Sequence, residues 1–147
     1  MNSPRALSTT LGYVLTLAIT AVLVSGLLIA GGNFIEDQRE RVIQTELEVI
    51  GEQVATQINA VDRLNQSAHG DRNVSIRQTL PSDVSGNSYR ITLVERADPA
   101  LRIETTRPDL STEIELTNTT AVGQSSVSGG TVVVEYNSTE GVVIDDI

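Results

Sequence analysis

Apolar residues follow three successive patterns along this chain. Residues 11–35 carry no charge at all, and Leu11, Val14, Leu15, Leu17, Ile19, Val22, Leu23, Val24, Leu27, Leu28 and Ile29 cover every side of a helix. Thr16, Thr20 and Ser25, the aliphatic hydroxyls within this run, can bond back to their own helix backbone. At about 1.5 Å rise per residue, roughly 20 apolar residues cross a bilayer core, so the segment predicts a membrane-spanning helix. A removable secretory signal has a shorter apolar region, roughly 7–15 residues. Ala30, Gly31 and Gly32 imitate a small-residue cleavage site, but the pattern beyond them continues as helix.

In the second pattern apolar residues return in steps of mostly three and four, at Ile35, Val42, Ile43, Leu47, Ile50, Val54, Ile58, Val61 and Leu64. That spacing puts one apolar stripe on an amphipathic helix. Glu36, Glu40, Glu46, Glu48 and Glu52 support helix on the solvent side, while Gly51 lowers local propensity by about 1 kcal/mol. Gly31-Gly32 predicts a flexible point or kink. The simplest reading is one long helix from about Ser8 to Leu64, apolar all round first and one-sided later.

Past a polar stretch at Gln66 to Asn73 the period changes to two. Val74-Ser75-Ile76, Tyr89 to Leu93, Leu101-Arg102-Ile103, Ile114-Glu115-Leu116 and Val132 to Tyr136 alternate apolar with polar, as half-buried strands do. Ser85-Gly86-Asn87, Asp98-Pro99, Arg107-Pro108-Asp109 and Ser128-Gly129-Gly130 read as turns. The expected fold class is therefore α+β, a long N-terminal helix packed on a small antiparallel β-sheet of about five or six strands. With one Phe, three Tyr and no Trp, so small a sheet needs another surface to cover its apolar face. The stripe from Val42 to Leu64 is the obvious candidate for that surface.

Charge adds a setting to this picture. There are 19 acidic residues against 10 basic ones, every basic residue is Arg, and the net charge is -9. Such a surface argues against nucleic acid, which needs a cationic partner. An acidic, Lys-free exterior is expected of a halophile, where carboxylates keep the surface hydrated in concentrated salt. Arg5 before the span and Glu36 and Asp37 after it favour an N-inside orientation, which places nearly everything after Phe34 outside the cytoplasm.

Four N-x-[ST] sequons, at Asn65, Asn73, Asn118 and Asn137, all lie beyond the span and are candidate glycosylation sites. Catalytic signals are missing from the sequence. His69 is the one His and sits in the polar stretch, there is no Cys, and the carboxylates Glu113, Glu115, Asp145 and Asp146 read as solvated acids. Neither a nucleophile–base pair, a metal site nor a phosphate-binding glycine loop is suggested, so the chain is not expected to be an enzyme or to carry a cofactor.

Arg5, Ala6, Leu7 and Ser8, followed by Gly12 and the Ala18-Ile19-Thr20 step in an apolar helix, resemble the N-terminus of archaeal type IV pilins and haloarchaeal pilin-like proteins. The resemblance is close over about 25 residues and architectural beyond them. It implies cleavage between Ala6 and Leu7 by a prepilin-type membrane peptidase, with the apolar helix retained, first as an anchor and then as the packed core of a filament. Thr9 stands where many archaeal pilins carry Pro, and Ala6 where Gly is commoner. Leu11 takes the fifth mature position, which is acidic in the bacterial pattern.

Gly12, Ala21, Ser25, Gly26 and Ala30 are the small residues that would let such helices approach each other. The expected organisation is a leader at 1–6, a transmembrane and assembly helix at 7–35, an amphipathic helix at 36–66 and an extracytoplasmic β-rich domain at 67–147. The expected function is a pilin-like structural subunit, major, minor or accessory, whose partners are the membrane, like or related subunits and the peptidase. The alternative is a monomeric single-pass anchored binding module.

Overall fold

The computed structural model describes residues 4–67 and 74–147, with side chains in the helix from Ser8 onward. The leader cut at Ala6-Leu7 falls where side chains are not described, and His69 and Asn73 lie outside the described residues. The fold is α+β. One helix, α1 (Pro4–Ser67), precedes seven strands: β1 (Ser75–Thr79), β2 (Tyr89–Val94), β3 (Ala100–Thr106), β4 (Asp109–Glu115), β5 (Ser125–Ser128), β6 (Thr131–Asn137) and β7 (Gly141–Asp146). By contacts the chain divides into two compact units, Met1–Arg39 and Glu40–Ile147. The helical hydrogen-bond pattern runs unbroken through Gly31 and Gly32, where a flexible point or kink was expected. Neither glycine would bring a Cβ within 4 Å of another group, so neither is there for close packing within the chain.

In the second unit the strands form two antiparallel sheets instead of the single one expected: three strands in the order β1-β6-β7 and four in the order β4-β3-β2-β5. The five alternating runs correspond to β1, β2, β3, β4 and β6. Ile91 faces Ile103 on one side and Val127 on the other, and Val134 lies between Ile76 and Ile144. These cross-strand apolar pairs set the register, because a slip of one residue would turn every apolar side chain outward.

The stripe on α1 covers both sheets. Ile43, Leu47, Ile50, Val54, Ile58 and Val61 are buried in one cluster with Ile91, Leu93, Leu101, Ile103, Val132, Val134 and Val142. Each fully buried aliphatic side chain contributes about 1.5–3 kcal/mol. The ends of the predicted stripe fall outside the core, since Ile35, Val42 and Leu64 are exposed. Gly51 sits within the stripe, where a Cβ would overlap Ile114 Cδ1 and come within 2.6 Å of Ile103 Cδ1. The absent side chain is what lets β3 and β4 approach the helix, and this close approach offsets the propensity loss.

Two turns depend on backbone that glycine favours. At Ser85-Gly86, φ is 50° and 78°, and Val84 and Asn87 exchange both backbone hydrogen bonds at 2.9 Å. Gly141 has φ 88°, and a Cβ there would collide with the Ala121 carbonyl. This contact lets Val142 N–H donate to Ala121 O and Gly123 N–H donate to Val142 O, both at 2.9 Å, joining the β4–β5 connection to β7.

Candidate functional site

Two features of the molecule have no role in its own core. The first is the apolar part of α1 in the unit Met1–Arg39. No residue of its most apolar 18-residue window is buried; Leu11, Leu27 and Ile35 are 74%, 73% and 69% exposed. Its hydroxyls are satisfied within the helix: Thr16 Oγ1 donates to Gly12 O at 2.9 Å, Thr20 Oγ1 to Thr16 O at 2.8 Å and Ser25 Oγ to Ala21 O at 2.8 Å. In lipid that leaves none of these three hydroxyls dangling. Gly12 and Gly26 have nothing within 4 Å of a built Cβ, and Ala21, Ser25 and Ala30 are exposed. None of the five predicted packing residues is buried among the described residues. A single long apolar helix near the N-terminus is consistent with a single-pass membrane anchor.

The second feature is a buried polar latch between the last turns of α1 and the β4–β5 connection. Asp62, only 5% exposed, stands one residue past Val61 on the buried side of the helix. Its carboxylate accepts the backbone N–H of Thr119 at 3.1 Å and of Thr120 at 2.9 Å, and the Gln66 side-chain amide at 2.8 Å. Burial alone would raise the Asp62 pKa. The Thr120 side chain, the two backbone N–H groups and Gln66 together outweigh it and hold the carboxyl below its ordinary value. Asn118 braces the same loop by donating from Nδ2 to Thr120 O, and its Oδ1 is buried without a hydrogen-bond partner among the described residues.

This latch was not foreseen from the sequence. The available signal was a carboxylate on the buried face of the stripe, since an acid there needs donors brought to it. An open groove of about 580 Å³, lined by Val42, Val49, Ile50, Pro81, Val84 and Ser85 among others, was also unforeseen.

The predicted sequons fall in different surroundings. Asn65 is half-buried in the last turns of α1. Asn118 belongs to the latch. Asn137 ends β6, and its Oδ1 accepts the Thr139 N–H at 2.9 Å in an exposed turn. Of the acids singled out, Glu113 sits between two cations, 3.2 Å from Arg96 and 3.2 Å from Arg102, all on the surface. The Arg102 hydrogen bond holds its carboxyl below the ordinary value; partial desolvation opposes this and the Arg96 charge adds to it. Glu115, Asp145 and Asp146 are exposed, and the described residues hold no group of three or more His, Cys, Asp or Glu placed to bind a metal ion.

No curated protein and no solved structure matches the sequence. The chain belongs to a family of unknown function, DUF7266, which it matches over residues 2–145.

Proposed function

We propose that this protein is a pilin-like structural subunit of a type IV pilus-like surface filament or of its assembly machinery, held first in the membrane and then in the assembly by α1. The observation that carries this reading is that span and domain share one helix. A removable signal is severed from the domain it exports. Here α1 passes through Ile35 without a break and supplies Ile43, Leu47, Val54, Ile58 and Val61 to the core. Cutting within the span would leave a ragged apolar helix on a domain that cannot release it, whereas cutting after Ala6 leaves the whole helix in place.

The small residues Gly12, Ala21, Ser25, Gly26 and Ala30 support helix-to-helix packing over bulk anchoring, because they admit close backbone approach in an apolar environment. Arg5 before the span and Glu36 and Asp37 after it favour the β domain on the outer face. The surface acids that might suggest catalysis are solvated or paired with Arg, which favours a non-catalytic role.

The test is the mature N-terminus together with fractionation. Leu7 as the first residue, with the protein in shear-released filaments, is the expected result. Ala21→Leu should abolish filament incorporation while membrane insertion persists. A retained Met1 in a protein that never leaves the membrane fraction would instead identify a monomeric single-pass anchored module.

A further inference from the structure

We infer that Asn137 carries an N-linked glycan in the mature protein and that Asn118, an equally good sequon by sequence, does not, because the fold uses its amide as a structural brace. The inference rests on the reading that residues beyond the span are exported.

At Asn118 the atom facing Thr120 O must be Nδ2, since two carbonyl oxygens cannot bond to each other. That fixes the amide, and Oδ1 is then the buried atom. An N-linked sugar replaces one Nδ2 hydrogen. The planar amide keeps the sugar carbon trans to Cβ and therefore beside Oδ1, as a peptide keeps the next Cα beside its carbonyl oxygen. A glycan on Asn118 would thus be driven into protein. It would also spread the loop whose Thr119 and Thr120 N–H groups hold Asp62. A chain modified there before folding could not close this loop and would be lost from the folded population.

At Asn137 the same geometry has the opposite consequence. Oδ1 points to the Thr139 N–H, and Ser138, Thr139 and Glu140 are all exposed. The space beside Oδ1 is the open end of the β6–β7 hairpin, where a sugar meets solvent. The Oδ1 to Thr139 bond also fixes the side chain in the turn, and a glycosylated Nδ2 leaves that bond untouched.

The experiment uses the full chain isolated from its native membrane or filament and cleaved by a Glu-specific protease. Cleavage after Glu115, Glu135 and Glu140 separates the two sequons into peptides 116–135 and 136–140. Mass spectrometry should find a glycan on 136–140 and the unmodified mass for 116–135. Thr139→Ala, which keeps the backbone N–H, should erase the glycan with little change in melting temperature. Asn118→Gln should lower the melting temperature and leave the glycan in place. A glycan on 116–135 of the folded protein, or a bare 136–140, overturns the assignment. Protease treatment of intact cells separates the causes: an accessible β domain with a bare 136–140 refutes the glycan alone, while a shielded domain refutes export and the glycan together.

Discussion

A buried carboxylate is costly unless donors are supplied to it, and Asp62 receives three from two places in the chain. Hydrogen bonds to a charged acceptor contribute about 1.5–3 kcal/mol, and removing such an acceptor leaves the Thr119 and Thr120 N–H groups facing a gap. Asp62→Ala is therefore expected to cost about 2–3 kcal/mol in denaturant unfolding. The pH dependence has a definite sign. The folded-state pKa of Asp62 lies below its unfolded value near 3.8. Its contribution is thus fully present above that value and is lost as pH falls through the depressed folded pKa. Unfolding curves measured from pH 6 down to pH 2 should show a steeper acid-side loss in the wild type than in Asp62→Asn. Parallel curves would show that the latch does not couple to protonation. Tyr89 is the counterpart on the basic side. Burial, with the Asp83 charge adding, pushes its hydroxyl up to about 12, and the hydroxyl donates to Pro81 O at 2.6 Å.

At the scale of elements, Gly51 sets the distance between helix and sheet. Gly51→Ala should gain about 1 kcal/mol of helix propensity and lose about 1–3 kcal/mol to overpacking against Ile114 and Ile103. The expected net effect is a loss of about 1 kcal/mol, and the longer Gly51→Leu should cost more. In an Ile114→Val background, which removes one of the two colliding Cδ1 atoms and leaves that of Ile103, the alanine should cost less than in the wild type. Thermal melts of the four combinations would measure that coupling.

The α1 stripe and five of the strands were legible because each has one wet face and one dry face, so period alone identifies them. The other two strands lack that contrast. Val142, Val143 and Ile144 in β7 are all buried, which makes a continuous apolar run without alternation. β5 offers a single apolar residue, Val127, among serines. Missing these two hid the division into two sheets. The Asp62 latch was illegible for another reason: two of its three donors lie 57 and 58 residues away, and they are backbone N–H groups that any residue but proline would supply. The apolar span was readable outright, since it depends on composition rather than on tertiary contact.

The two units of the molecule make different demands. Residues 8–39 contribute no buried side chain, whereas Glu40–Ile147 contains the core of the described residues. A chain begun at Glu40 should therefore be water-soluble and unfold in one cooperative transition, while the full chain should require detergent. A molten or aggregated product from Glu40 onward would mean that the apolar part of α1 is needed for folding as well as for anchoring. Starting instead at Ile50 removes Ile43 and Leu47, both fully buried, and should prevent folding.

The Asp62 latch also implies a waiting time. Asp62 is made 58 residues before Thr120, and at about 5–20 residues per second the interval is roughly 3–12 s. Through that interval the stripe from Ile43 to Val61 has been synthesised but its sheets are incomplete, since β5, β6 and β7 follow Thr120. A helix with one bare apolar face then stands exposed. The acids along its other side, Glu40, Glu46, Glu48 and Glu52, make burial of the whole helix in an apolar phase costly. Their service to the newborn chain is to keep that side of the helix in water until its own strands arrive.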